Sequence, residues 1–95
     1  MKKVALIGST GSIGENALEV IRASSGALEA TVLCAGSNVS RLIEQAREFR
    51  PALAVVAERA GEEKLREGVA GLGIEVAAGE EGVVRGATFP STEII

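Results

Sequence analysis

The sequence has no histidine, tryptophan or tyrosine, two phenylalanines (Phe49 and Phe89) and a single cysteine in 95 residues. Aspartate is missing too, so all 13 acidic residues are glutamates. Each absence removes a class of function. Without His or Asp the chain cannot by itself assemble a Ser-His-Asp or Cys-His constellation. One thiol and no imidazole cannot close a tetrahedral zinc shell. The lone Cys34 excludes an internal disulfide framework and fits a reducing compartment, so the expected location is the cytoplasm. A formal charge of −3 and no aromatic platform for stacking bases argue against nucleic acid as a partner. The inventory is that of a binder rather than of a self-contained catalyst.

Long hydrophobic runs are also lacking. Lys2-Lys3 followed by Val4 to Ile7 is too short for a secretory core and ends at Gly8-Ser9-Thr10. No stretch approaches the roughly 20 apolar residues of a membrane span, so no membrane partner is expected. Yet 46% of the residues are hydrophobic. A domain this short buries roughly 60–65% of its unfolded surface. The excess points to strands buried on both faces, or to surface that meets another part of a larger protein.

Short apolar runs alternate with helical patterns, the signature of parallel βαβ units. Lys3 to Gly8 reads as a strand buried on both faces. Ser12 to about Ser24 has helical spacing, with Ile13, Ala17, Val20, Ile21 and Ser24 inward and Glu15 and Glu19 outward. Ser25-Gly26 ends it. Ala30 to Ala35 is the second strand. Ser37 or Asn38 caps the next helix, whose inner face is Val39, Leu42, Ile43, Ala46 and Phe49. Pro51 stops it, and Leu53 to Ala57 is the third strand. A charged helix over about Glu62 to Val69 follows, with Glu62 and Arg66 at i,i+4. Ile74 to Ala77 is a fourth strand, Glu80 to Gly86 a short helix, and Glu93-Ile94-Ile95 the opening of a fifth strand. No linker or internal repeat interrupts the order.

The chemistry concentrates between the first strand and first helix, in Gly8-Ser9-Thr10-Gly11-Ser12-Ile13-Gly14. This GxxGxxG spacing is a variant of the dinucleotide fingerprint. Gly8 permits a sharp turn, Gly11 lets backbone approach a pyrophosphate, and Gly14 allows close helix–strand contact. The helix start offers free N–H groups and a positive dipole end. Ser9, Thr10 and Ser12 add hydroxyl donors. The plain alternative is a glycine-rich turn without a ligand; the strand before it and the amphipathic helix after it favour nucleotide binding.

The kind of dinucleotide follows from the second strand. A site for NAD places an acid about 20 residues after the loop, on the ribose diol. Here the strand exits as Ala35-Gly36-Ser37-Asn38 with no acid; the nearest are Glu29 and Glu44. A carboxylate would repel a 2′-phosphate, whereas Ser37 and Asn38 can donate hydrogen bonds to one and Arg41 can supply countercharge. NADPH is favoured. The alternative leaves Ser37 and Asn38 as helix caps and Arg41 as a solvated charge.

Together, GSTGSIG at 8–14, AGSN at 35–38, Glu48-Phe49-Arg50-Pro51 and Gly79-Glu80-Glu81-Gly82 resemble the N-terminal part of the 1-deoxy-D-xylulose-5-phosphate reductoisomerase family over essentially all 95 residues. The first two motifs are specific; the others are weak alone. The resemblance implies conversion of deoxyxylulose 5-phosphate to 2-C-methyl-D-erythritol 4-phosphate by rearrangement and NADPH-dependent reduction, in non-mevalonate isoprenoid synthesis. It implies a divalent metal, magnesium or manganese, and a homodimer in the parent enzyme. Cofactor contacts carry over to Thr10, Gly11, Ser12, Ile13, Gly36, Ser37 and Asn38. Some members have a basic residue where Ser37 stands, which moves any charge pairing to Arg41 or elsewhere.

Family chains are several-fold longer, and their metal ligands, lid and substrate-phosphate residues lie beyond the position matching Ile95. The expectation is therefore an incomplete NADPH-binding domain over residues 1–95, inactive alone. Its fold class is α/β, a Rossmann-like open parallel sheet of order 4-3-2-1 with a truncated fifth strand beside the first, and flanking helices. An exposed sheet edge is expected to be open to pairing. Cys34 reads as a small buried hydrophobe, and Glu62-Glu63 and Glu80-Glu81 as solvated helix faces rather than metal ligands. Two rivals remain: a non-catalytic nucleotide-sensing module, and the cofactor domain of another NADP-linked dehydrogenase.

Overall fold

Alternation within the strands divides the core into two layers. In the computed structural model, which describes residues 2–95, the chain runs β1 (Lys2–Ile7), α1 (Ser12–Ala23), β2 (Leu28–Ala35), α2 (Val39–Phe49), β3 (Leu53–Val56), a 3-10 turn (Arg59–Gly61), α3 (Glu62–Gly68), β4 (Glu75–Ala78), α4 (Gly79–Thr88) and β5 (Glu93–Ile94). Val4, Leu6, Leu33, Ala35, Ala54 and Val56 face one side, where Leu18 and Ile21 of α1, Leu42, Ile43 and Ala46 of α2 and Leu65 of α3 cover them. Their neighbours Ala5, Val32, Cys34, Leu53 and Val55 face the other side, toward Val83 and Phe89. Side chains that alternate between two apolar layers explain why these strands read as continuous hydrophobic runs.

All pairings are parallel and the sheet order is β4-β3-β2-β1-β5. The first four strands step one way across the sheet. The chain segment containing α4 then returns over the opposite face and delivers β5 to the free side of β1, with Val4 paired to Glu93 and Ala5 to Ile94. Strand order reverses at β1, which makes the carboxyl end of β1 the switch point where open α/β sheets bind ligands. The outer side of β5 is exposed, with Ile94 and Ile95 about half accessible.

Several boundaries and one helix face differ from the sequence expectation. The second strand begins earlier, at Leu28; the fourth is shifted to Glu75–Ala78, where the preceding Gly71 and Gly73 take positive φ and keep the chain turning. In α1 the inward residues are Gly14, Leu18 and Ile21, not Ile13 and Val20, which are 74% and 60% exposed. The close seat of Gly14 against the loop sets the helix rotation, and Leu18 and Ile21 follow at i+4 and i+7. In α2 the inward face contains Gln45 as well as Leu42, Ile43 and Ala46. Arg50 ends this helix in the left-handed region with φ 48°, and the following Pro51 disfavours a further helical residue.

Two arginines lace α1 to α2. Arg41 grips Glu15 through Nε and Nη2 at 2.6 and 2.8 Å and reaches Glu44 at 3.0 Å. Arg22 holds Glu48 in the same two-pronged way, contacts Glu19, and stacks over the Phe49 ring at 5.2 Å. Hydrogen bonding to Arg41 holds the Glu15 carboxyl below its ordinary value of 4.5, and Arg22 does the same for Glu48. A depressed folded-state value contributes stability above the unfolded value, and that stability is lost as pH falls through the folded value. Denaturant midpoints measured downward from pH 7 are therefore expected to decline below about pH 4.5. The double variant Arg22→Met/Arg41→Met should decline less steeply; parallel curves for the two proteins would contradict this role.

Candidate functional site

Two loops meet at the carboxyl ends of β1 and β2. Ile7 pairs with Cys34, and the Cys34 carbonyl accepts from both the Gly8 and Ser9 amides, at 2.7 and 2.9 Å. This double bond ties the glycine loop to the exit of β2, so Thr10 to Ile13 and Gly36 to Asn38 form neighbouring rims. Gly8 turns the chain at φ 98°, a conformation a side chain rarely adopts. A Cβ on Gly14 would lie 2.3 Å from the Gly8 oxygen and 2.6 Å from Ser9 Cα. The first and third glycines therefore serve the fold itself.

Gly11 is different. A Cβ there would meet only the Gly8 oxygen, at an ordinary 3.6 Å. The space above it belongs to the cleft. Gly11 is the N-cap of α1 and offers no side-chain cap, while the amides of Thr10, Ser12, Ile13 and Gly14 have no protein partner among the described residues. An uncapped helix start with several free N–H groups is chemically matched to an anion. The adjoining cleft encloses about 470 Å³, floored by Leu6 and Ile7, walled by Gly8 and Gly11–Gly14, and faced by Ile95. The exposed Ile13 lies on its lip.

Some donors expected from the sequence are placed otherwise. Thr10 is partly exposed and Ser12 exposed, but Ser9 is fully buried and its hydroxyl has no hydrogen-bond partner among the described residues. At the β2 exit Gly36, Ser37 and Asn38 are all exposed. Asn38 caps α2, its Oδ1 accepting from the Arg41 amide at 3.2 Å. The Arg41 guanidinium is already neutralised by Glu15 and Glu44, so it is not a free countercharge. Cys34 is buried, and burial pushes its thiol up, so it is an inert core group. Among the candidate metal carboxylates, Glu62 pairs with Arg66 and Glu81 with Arg59, on helix surfaces.

Two residues of this region escape a reading along the chain. The Glu58 amide donates to the Gly36 carbonyl at 2.9 Å, which brings an exposed acid to the rim from β3 rather than β2. Arg59 follows it, so both signs of charge stand there. Gln45 is buried, and its Nε2 donates to the Ser9 carbonyl at 2.8 Å. The available signal was a polar residue between Leu42 and Ala46 on an otherwise apolar face.

Residues 4–95 match the family model described as 1-deoxy-D-xylulose 5-phosphate reductoisomerase. The chain belongs to this family. It is 46% identical over 82 residues to the reductoisomerase of Caulobacter vibrioides, covering 86% of this chain and 21% of the relative. It is 41% identical over 95 residues to that of Agathobacter rectalis, covering 100% of this chain and 25% of the relative. The chain thus spans about a quarter of the length of the curated relatives it matches.

Solved reductoisomerase structures superpose closely. The enzyme of Zymomonas mobilis in complex with NADPH gives a TM-score of 0.90 at 31% identity, over 95% of this chain and 24% of that one. A reductoisomerase in complex with NADPH, fosmidomycin and magnesium gives 0.90 at 28% identity, over 99% of this chain and 24% of that one. Family membership and fold both agree with the resemblance read from the two loops. No helix among the described residues is long and apolar enough to cross a membrane.

Proposed function

We propose that this chain is the NADPH-cradling part of a reductoisomerase that rearranges and reduces deoxyxylulose 5-phosphate to 2-C-methyl-D-erythritol 4-phosphate. The observation that carries the reading is the uncapped start of α1, whose free amides face an open cleft at the switch point of the sheet. In this reading Thr10, Gly11, Ser12 and Ile13 hold the pyrophosphate, and Gly36, Ser37 and Asn38 receive the adenosine ribose with its 2′-phosphate. Those residues bind and orient; the chemistry supplied by the bound nucleotide is hydride donation. Ile13 and Ile95 offer apolar surface to the cleft.

Within residues 1–95 we assign one NADPH-binding domain. Metal ligands and substrate contacts are assigned to the rest of a full-length reductoisomerase, of which this chain spans about a quarter. Cytoplasmic location and a homodimeric parent complete the proposal. A nucleotide-sensing module specific for NAD(H) is less favoured, because β2 ends without a ribose-binding acid.

The test uses the intact protein that carries this chain. NADPH oxidation should depend on deoxyxylulose 5-phosphate and a divalent metal, and NADPH should bind at least about tenfold more tightly than NADH, a difference of about 1.4 kcal/mol. Equal or tighter binding of NADH would overturn the cofactor assignment. Absence of substrate-dependent oxidation would overturn the activity.

A further inference from the structure

Gln45 is a misfit by composition. A leucine at this point of α2 would pack without an amide to satisfy, yet a carboxamide lies there at 1% exposure, with Oε1 left unpartnered. Its one hydrogen bond in the fold runs from Nε2 to the Ser9 carbonyl, 36 residues away in the glycine loop. Buried polar groups persist where they fix a particular arrangement, because they are unfavourable when left unsatisfied.

The arrangement fixed here is the Ser9–Thr10 peptide. The chain has no cis peptide bonds among the described residues, so the Ser9 C=O and the Thr10 N–H point in opposite directions across one plane. With the carbonyl turned inward to α2, the Thr10 amide must face away from α2. It has no protein partner among the described residues. The other side of Ser9 is pinned as well, since its amide donates to Cys34 and its side chain is buried. Rotation of this peptide is blocked at both ends only while Gln45 holds the carbonyl.

Gln45 lies one turn after Arg41 on α2, and Arg41 in turn grips Glu15 of α1, so the helix that carries Gln45 is tied to the helix that starts at the glycine loop.

We propose that Gln45 is a positioning residue, whose hydrogen bond to the Ser9 carbonyl aims the Thr10 amide at the pyrophosphate of the bound nucleotide. The inference rests on the NADPH reading above and adds to it a residue that touches no ligand. It predicts a loss confined to ligands that carry a pyrophosphate. Adenosine 2′-monophosphate has the adenosine and 2′-phosphate but no pyrophosphate, and serves as the control.

In the intact protein, Gln45→Met keeps length and bulk but cannot donate. Its Kd for NADPH should rise about tenfold, the equivalent of about 1.4 kcal/mol. The KM for NADPH should rise with it and kcat stay near wild type, while the Kd for adenosine 2′-monophosphate stays within about twofold. Unchanged NADPH binding, or equal weakening of both ligands, would overturn the proposal. Should this variant fold poorly, the wild-type protein still decides: the Thr10 amide resonance must move on adding NADPH and stay in place with adenosine 2′-monophosphate. An unmoved Thr10 amide in the NADPH complex would also overturn the proposal. Wild-type protein that binds adenosine 2′-monophosphate but not NADPH would instead refute the cofactor reading, and this proposal with it.

Discussion

Gly14→Ala is expected to unfold the domain at a markedly lower temperature. The new methyl would stand 2.3 Å from the Gly8 oxygen, 2.6 Å from Ser9 Cα and 2.7 Å from Ser9 C. All three are backbone atoms, so no side chain can rotate to make room. Overpacking in a fitted core usually costs about 1–3 kcal/mol, and relief here requires displacing the turn that Cys34 anchors. A loss near about 3 kcal/mol corresponds to more than about 10 °C in Tm for a domain of this size. The same displacement would misplace the free amides. A variant melting within about 2 °C of the parent would show that the helix is not seated as described.

Gly11→Val should do the opposite, leaving stability alone and removing the ligand. Gly11 has φ −80° and ψ 173°, extended backbone that β-branched residues adopt readily. The nearest potential neighbour of a Cβ there is the Gly8 oxygen at 3.6 Å, an ordinary contact, and the position borders the cleft. The expected clash is with whatever occupies the cleft. If that is a pyrophosphate, steric overlap of about 2–3 kcal/mol translates to a roughly 30–150-fold rise in the Kd for NADPH. Calorimetric titration beside a melting curve separates the outcomes. Retained affinity would mean that the nucleotide passes elsewhere, and a large drop in Tm would mean that the glycine serves the fold.

Glycines of identical appearance in the sequence thus have different duties, and this shows how far a sequence can be read. The order and parallel sense of the strands were legible because β1, β2 and β3 are apolar on both faces and separated by helix-length segments. The glycine loop was legible because strand, glycine spacing and amphipathic helix occur together. The rotation of α1 was not. Ile21 faces inward as its spacing predicts, but Ile13 and Val20 satisfy a helical pattern with it as well as Leu18 does, and the contact at Gly14 chooses between the two rotations.

Partners drawn from other strands were equally hidden. Glu58 approaches Gly36 through the β2–β3 pairing, 22 positions along the chain, and counting from the loop does not reach it. Arg41 was identifiable as a cation near the β2 exit, but its capture by Glu15 required the packing of α1 on α2. Ser9 looked like one more hydroxyl in a polar loop; the fold buries it beneath the turn.

The pairing of β5 with β1 brings together segments nearly ninety positions apart, and beside the strand ladder itself the bonds across it include Thr92 N to Lys3 O, Lys3 N to Thr92 Oγ1, Ile95 N to Ala5 O and Ile7 N to Ile95 O. The entropic penalty of closing a loop grows only slowly with its length, so this seam depends on the local contacts between β1 and β5. The cleft lies across this seam, with the glycine loop on one side and Ile95 on the other. A molecule lodged there acts as a removable cross-link between early and late parts of the chain. At a hundred times its Kd such a ligand adds about 2.7 kcal/mol to the folded state. Occupancy of the cleft and closure of this seam would then be linked, so that a ligand bound there would tighten the β1–β5 pairing.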